Sequence, residues 1–170
     1  MAIYAVRRIT AILRALGLVV DRGNWLEADQ VLACAYPRGQ ASLAALASQG
    51  ISVLVNLLDH PHMPSRLAPH GLTEVHLPIP DFTDRSHETI ERGVDAVAAA
   101  VVKGQTVAVH CGGGLGRTGT LMACYLVQQS YTPEAAIAWV RAVRPGTLES
   151  HEQVGAVRAY AQRRNEGVAR

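Results

Sequence analysis

The chain has 170 residues, 49% of them hydrophobic and 18% charged, with a formal net charge of +2 at pH 7. This length can bury a core by itself but is short for two ordinary domains, and the apolar fraction argues against disorder. So small a charge, with no dense Lys/Arg run, leaves nucleic acid without support as a partner.

Ile3 to Val20 is largely apolar, but Arg7, Arg8 and Arg14 interrupt it. It therefore lacks the run of about 20 uncharged residues that a membrane span requires, and Arg14 splits the apolar centre of a secretory signal. The segment reads as an amphipathic helix, which makes 1–22 an N-terminal extension packed on a single domain covering 1–170. No integral membrane segment is expected, and three cysteines point to a reducing, cytoplasmic setting. The sequence does not specify an oligomeric state.

Two short strands are predicted around Trp25 and over 31–35, followed by a helix from Gln40 to Ser48 closed by Gly50. Ile51 to Leu57 is nearly continuous in apolar residues, the pattern of a central strand. A proline-rich loop from Pro61 to Pro69 then leads to a strand near Thr73 to Leu77. His60-Pro61-His62, with His70 nearby, has no further Cys or Asp cluster at ligand spacing. It reads as a polar loop, and neither a metal nor another cofactor is expected.

The segment Val75 to Asp84 reads as a strand that ends at Pro78 and Pro80 and releases into a loop carrying Asp81 and Asp84. A helix from Ser86 to Lys103 ends at Gly104, and Thr106 to Val109 returns as a strand. Three helices follow, over about 118–130, 133–144 with Pro133 in its first turn, and 151–164. Strands alternating with helices imply an α/β fold with a mainly parallel central sheet of about five strands flanked by helices.

The most informative stretch joins the strand ending at Val109 to the next helix: His110-Cys111-Gly112-Gly113-Gly114-Leu115-Gly116-Arg117-Thr118-Gly119. The first N–H groups of a helix have no intrahelical partner, and the helix dipole adds partial positive charge there. The glycines at 112, 113, 114 and 116 allow successive N–H groups from Gly112 to Arg117 to converge on one point and cradle an anion. Arg117 adds a planar fork suited to two phosphate oxygens. The same positive field favours a thiolate at Cys111, so a nucleophile and a phosphate cradle coincide. Gly114-x-Gly116-x-x-Gly119 also fits a dinucleotide-binding fingerprint, but the acidic residue that should end the next strand is missing, since Glu134 falls at another helix start.

This stretch resembles the His-Cys-x5-Arg-Ser/Thr signature of the cysteine-dependent protein tyrosine phosphatases and matches it at every fixed position. The resemblance implies their fold, in-line attack by Cys111 on a phosphate monoester, and hydrolysis of a phosphocysteine intermediate. It further implies that Thr118 donates a hydrogen bond to the departing sulfur and that His110 orients the loop. Ile79-Pro80-Asp81-Phe82 is close to the segment that carries the general acid in small dual-specificity phosphatases, which singles out Asp81. Asp84 is the reserve, and Asp84 or Ser86 also suits a helix cap.

Arg144-Pro145-Gly146-Thr147-Leu148-Glu149-Ser150-His151-Glu152-Gln153 resembles a segment of the small atypical, VHZ-like dual-specificity phosphatases. It gives Glu149 and Gln153 a supporting part, while Ser150 and Gln153 also satisfy a capping box. Phosphoinositide phosphatases of this superfamily usually carry lysines in the loop, and Gly112 to Gly116 has none. The expected substrate is a protein or peptide bearing phosphotyrosine, with phosphoserine and phosphothreonine admitted by a shallow pocket. The competing reading is a catalytically inactive module that uses the cradle for phosphate recognition. Cys34 reads as a buried strand cysteine. Cys124 lies about 20 Å of helix from Cys111, too far for a direct disulfide.

Overall fold

The structure is a computed structural model that describes residues 23–80 and 86–168. The N-terminal helix expected over Ile3 to Val20, and both Asp81 and Asp84, lie outside the described residues.

Strands β1 (Asn24–Glu27), β2 (Val31–Cys34), β3 (Ile51–Asn56), β4 (Thr73–His76) and β5 (Thr106–His110) form one sheet in the order β1-β2-β5-β3-β4. β1 is antiparallel to β2, and the other pairings are parallel. The helices are α1 (Gln40–Ser48), α2 (Pro64–Leu67), α3 (Ser86–Val102), α4 (Gly116–Gln128), α5 (Pro133–Val143) and α6 (His151–Val168). The α/β fold with a mainly parallel five-stranded sheet, expected from the alternating pattern, is therefore what the chain adopts.

Alternation along the strands divides the core in two. Val31 and Ala33 of β2, Val53 and Val55 of β3, and Val107 and Val109 of β5 join the larger cluster with Val94 of α3, Leu121 of α4, Val140 of α5 and Val157 of α6. Leu32 and Cys34, Leu54, and Ala108 point the other way and meet Leu43 and Leu46 of α1 and Leu67 of α2. In the parallel register, Cys34 and Asn56 flank His110, which places all three on the α1/α2 face. Cys111, one residue on, joins the larger cluster.

The last helix runs to Val168 rather than 164, and two departures from the sequence reading lie nearer the site. The loop expected from Pro61 to Pro69 contains α2 and a 3-10 turn over Ala68–His70. Pro64 sits at the first helical position, where its missing N–H costs nothing, and buried Leu67 ties the turn to the core under α1. Helix α4 starts at Gly116 rather than near Thr118, because Leu115 already has helical dihedrals and its carbonyl accepts the Gly119 N–H. Arg117 and Thr118 therefore stand in the first helical turn.

Candidate active site

The loop from Cys111 to Leu115 leaves the C-terminal end of β5, the middle strand, and runs directly into α4. The Tyr36 N–H donates to the Gly112 carbonyl at 3.1 Å, and Arg144 Nε donates to the Gly114 carbonyl at 2.5 Å. In a trans peptide the carbonyl and the following N–H point in opposite directions. Drawing those two carbonyls outward therefore turns the N–H groups of Gly113 and Leu115 toward the loop's interior. Among the described residues, no backbone N–H from Gly112 to Leu115 donates to another backbone carbonyl. Helix α4 adds its own N-terminal N–H groups without a side-chain cap.

Close contacts within the chain account for glycine at 114 and 119, and leave little room at 116, without a dinucleotide. Gly114 has φ +68°, and a Cβ there would lie 2.1 Å from the Cys34 carbonyl oxygen. At Gly116 it would lie 3.0 Å from Gln153 Nε2, and at Gly119 it would lie 2.9 Å from Thr147 Cβ. Each position admits another part of this chain.

Arg117 Nη1 donates to the carbonyls of Leu57, after β3, and Ile79, after β4, at 3.3 and 3.2 Å. Those two loops fix the guanidinium in one wall of an open cleft of about 520 Å³, lined also by Leu58, Asp59, Pro78 and Pro80. Asp59 was not singled out by sequence reading. Its carboxyl is held below the usual range by its hydrogen bond with His60, then by its own backbone, with Arg117 a smaller contributor. A carboxylate thus lines the same cleft as the Arg117 guanidinium.

The structure brings Thr118, Gln153 and His110 to the loop. The Thr118 hydroxyl is fully buried and has no hydrogen-bond partner among the described residues. Ser150 accepts the Gln153 N–H at 3.2 Å, which forms half of the expected capping box. The reciprocal half is absent because the Gln153 amide lies against Gly116 instead. His110 is buried, and burial, followed by the neighbouring His62, lowers its imidazole to about 3. Glu149 is exposed and makes no hydrogen bond among the described residues.

The model of the family described as Swiss Army Knife protein, DSP-PTPase phosphatase domain, matches residues 21–157. The chain belongs to this family. It is a phosphatase domain of the small atypical dual-specificity type within the protein tyrosine phosphatase superfamily. Its sequence is 30% identical over 161 residues to mouse protein tyrosine phosphatase domain-containing protein 1, covering 82% of this chain and 21% of that one. It is 42% identical over 76 residues to the phosphatidylglycerophosphate phosphatase PTPMT1 of Arabidopsis thaliana, covering 44% of this chain and 23% of that one. The chain thus spans about a fifth of the length of each of these curated relatives. Among solved structures, Tk-PTP in its active form superposes with a TM-score of 0.74 at 27% identity, covering 84% of this chain and 97% of that one.

The residue whose part in the phosphatase domain was least evident from sequence is Arg144. Only 2% exposed, it holds Gly114 through Nε while Nη1 donates to Asn24 Oδ1 at 2.7 Å and to the Ala33 carbonyl at 3.2 Å. The Arg-Pro-Gly segment marked it for attention, but its partners lie at the start of the sheet.

The other two thiols are unsuited to compete with Cys111. Burial pushes Cys34 up to about 12, against a smaller opposing effect of Arg144, and burial likewise pushes Cys124 up strongly. Both stay protonated through neutral and mildly alkaline pH, and the thiol form is a poor nucleophile. Iodoacetamide at pH 7.5 is therefore expected to modify the native domain once, at Cys111, and the unfolded domain three times, as counted by mass spectrometry. A native adduct at Cys34 or Cys124 that forms as fast would contradict this.

Proposed function

We propose that the domain hydrolyses phosphate monoesters of phosphotyrosine, and of phosphoserine and phosphothreonine, on proteins or peptides. The Cys111 thiolate attacks phosphorus in line and the ester oxygen leaves, with Asp81 giving that oxygen its proton. Asp81, now a carboxylate, then takes a proton from water as the water attacks the phosphocysteine. Phosphate and the Cys111 thiolate are released. The N–H groups from Gly112 to Gly116 and the Arg117 fork hold the non-bridging oxygens, whose charge they stabilise in the transition state. Thr118 donates to the departing sulfur, which suits a buried hydroxyl with no other partner among the described residues. Gln153 supports the loop by its contact at Gly116, and His110 orients it from the preceding strand.

The observation that carries this reading is the loop itself, with the Gly112 and Gly114 carbonyls drawn away from its interior beside Cys111 and Arg117. Asp59 in the cleft lining, together with the lysine-free loop, disfavours polyanionic headgroups. The likeness to a plant enzyme named for phosphatidylglycerophosphate favours a second substrate class, a lipid phosphomonoester.

Steady-state assays on phosphotyrosyl and phosphoseryl peptides, phosphatidylglycerophosphate and inositol phosphates separate these readings. The phosphopeptides are expected to have the highest kcat/KM, and a preference for the lipid would replace the protein reading. Asp81→Asn is expected to slow substrates with poor leaving groups by about 10²–10⁴-fold while leaving inorganic phosphate binding unchanged. The same loss in Asp84→Asn alone would move the acid to Asp84.

A further inference from the structure

On the α1/α2 face of the sheet, behind the phosphate loop, lies a buried cluster of which only His110 has been given a part, in orienting that loop. His62, from the loop after β3, is 3% exposed, and His110 at the end of β5 is fully buried. Glu74 lies on the edge strand β4, beyond β3 from His110, and accepts from His62 Nδ1 at 2.5 Å and from Asn56 Nδ2 at 2.9 Å. The Tyr36 ring stacks on His62 at 4.9 Å between centroids and meets His110 edge-on at 5.7 Å.

Among the described residues, His62 Nε2 is buried with no hydrogen-bond partner, and the buried His110 nitrogens meet no polar group beyond the Cys111 backbone. Burying a polar group without a partner is costly, and in native structures such groups call for an explanation. One donor atom from each of His62, Glu74 and His110 lies within 4.8 Å of the others. Around a tetrahedral ion with bonds of about 2.0–2.1 Å, donors stand about 3.3 Å apart, so modest side-chain movement would bring all three onto one ion. Two neutral imidazoles and one carboxylate match the preferences of divalent transition metals, and the carboxylate supplies negative charge that a buried cation needs.

We propose that His62, Glu74 and His110 form a binding site for one divalent transition-metal ion, with zinc as the representative. The site is separate from the phosphate cradle. Cys111 follows His110 directly, and Tyr36, which covers His62, holds the Gly112 carbonyl through its backbone. A bound ion would cross-link the ends of β4 and β5 and the loop after β3 behind the catalytic loop.

The test uses the tag-free full chain carrying Cys111→Ser, so that the catalytic thiol cannot bind the metal. After chelator treatment, titration with Zn²⁺ is expected to show one equivalent bound and to raise the melting temperature. Co²⁺ in its place is expected to give visible bands of a nitrogen- and oxygen-ligated site with no thiolate charge-transfer band, which excludes Cys34. His62→Asn and Glu74→Gln, each added to Cys111→Ser, are expected to weaken Zn²⁺ binding at least about 10-fold. Glu74→Gln keeps the side-chain size, so it decides the matter if His62→Asn fails to fold. Absence of stoichiometric binding, a cobalt spectrum with thiolate bands, or affinity unchanged in the folded double variants would overturn the proposal.

Discussion

Cys111→Ser is expected to lower p-nitrophenyl phosphate turnover by at least about 10⁴-fold while inorganic phosphate binds as before. The substitution replaces one atom and leaves the cradle intact, since the loop's outward carbonyls are held by Tyr36 and Arg144 rather than by the thiol. A serine hydroxyl is not ionised at neutral pH, so it is a far weaker nucleophile toward phosphorus than a thiolate. The buried thiols at 34 and 124 cannot substitute, because both are held protonated. Steady-state kinetics beside phosphate titration decide the outcome. If the wild-type chain binds phosphate and turns over no faster than the variant, the domain recognises phosphate without hydrolysing it.

Arg144→Lys is expected to cost about 2–4 kcal/mol of stability and to lower kcat/KM by about 10²-fold. Lysine keeps the charge but loses the fork, and one ammonium cannot reach Gly114, Ala33 and Asn24 together. With the Gly114 carbonyl released, nothing directs the Leu115 N–H inward, and the cradle loses part of its field. Gly114 itself is wedged against the Cys34 carbonyl, so the loop has little freedom to find another arrangement. Denaturant titration and kinetics on one preparation measure both effects. A variant with reduced stability but unchanged kcat/KM would reduce Arg144 to a structural residue with no positioning role.

Most of the fold was legible because its signals are local. Helix α1 spans Gln40 to Ser48 as the pattern predicts, with Gly50 at φ +82° just beyond it. The continuous apolar runs of β3 and β5 mark strands covered on both faces, and both are interior strands of the sheet. Helix α2 escaped notice because four residues in a proline-rich stretch carry too little periodicity, and buried Leu67 holds it in place from outside.

The phosphate loop was equally readable, since Cys111, the glycines and Arg117 lie within one short stretch of sequence. Gln153 was visible as a capping residue, but its side chain takes the contact with Gly116 in preference to the reciprocal cap. Asp59 gave no sequence signal, because a single exposed acidic residue after a strand resembles any loop carboxylate.

By itself, the sequence determined the α/β class, the order of the strands and of the longer helices, and the placing of a cysteine and an arginine on one glycine-rich strand-to-helix loop. These follow from hydrophobic periodicity and from a motif whose members are neighbours along the chain. Only the tertiary structure decided what holds the cradle open and what lies behind it. Arg144 meets Asn24 across 120 residues, and His62 and Glu74 meet His110 only because β3 places β4 and β5 on either side of it. Such contacts depend on strand order and register, and no local pattern encodes them.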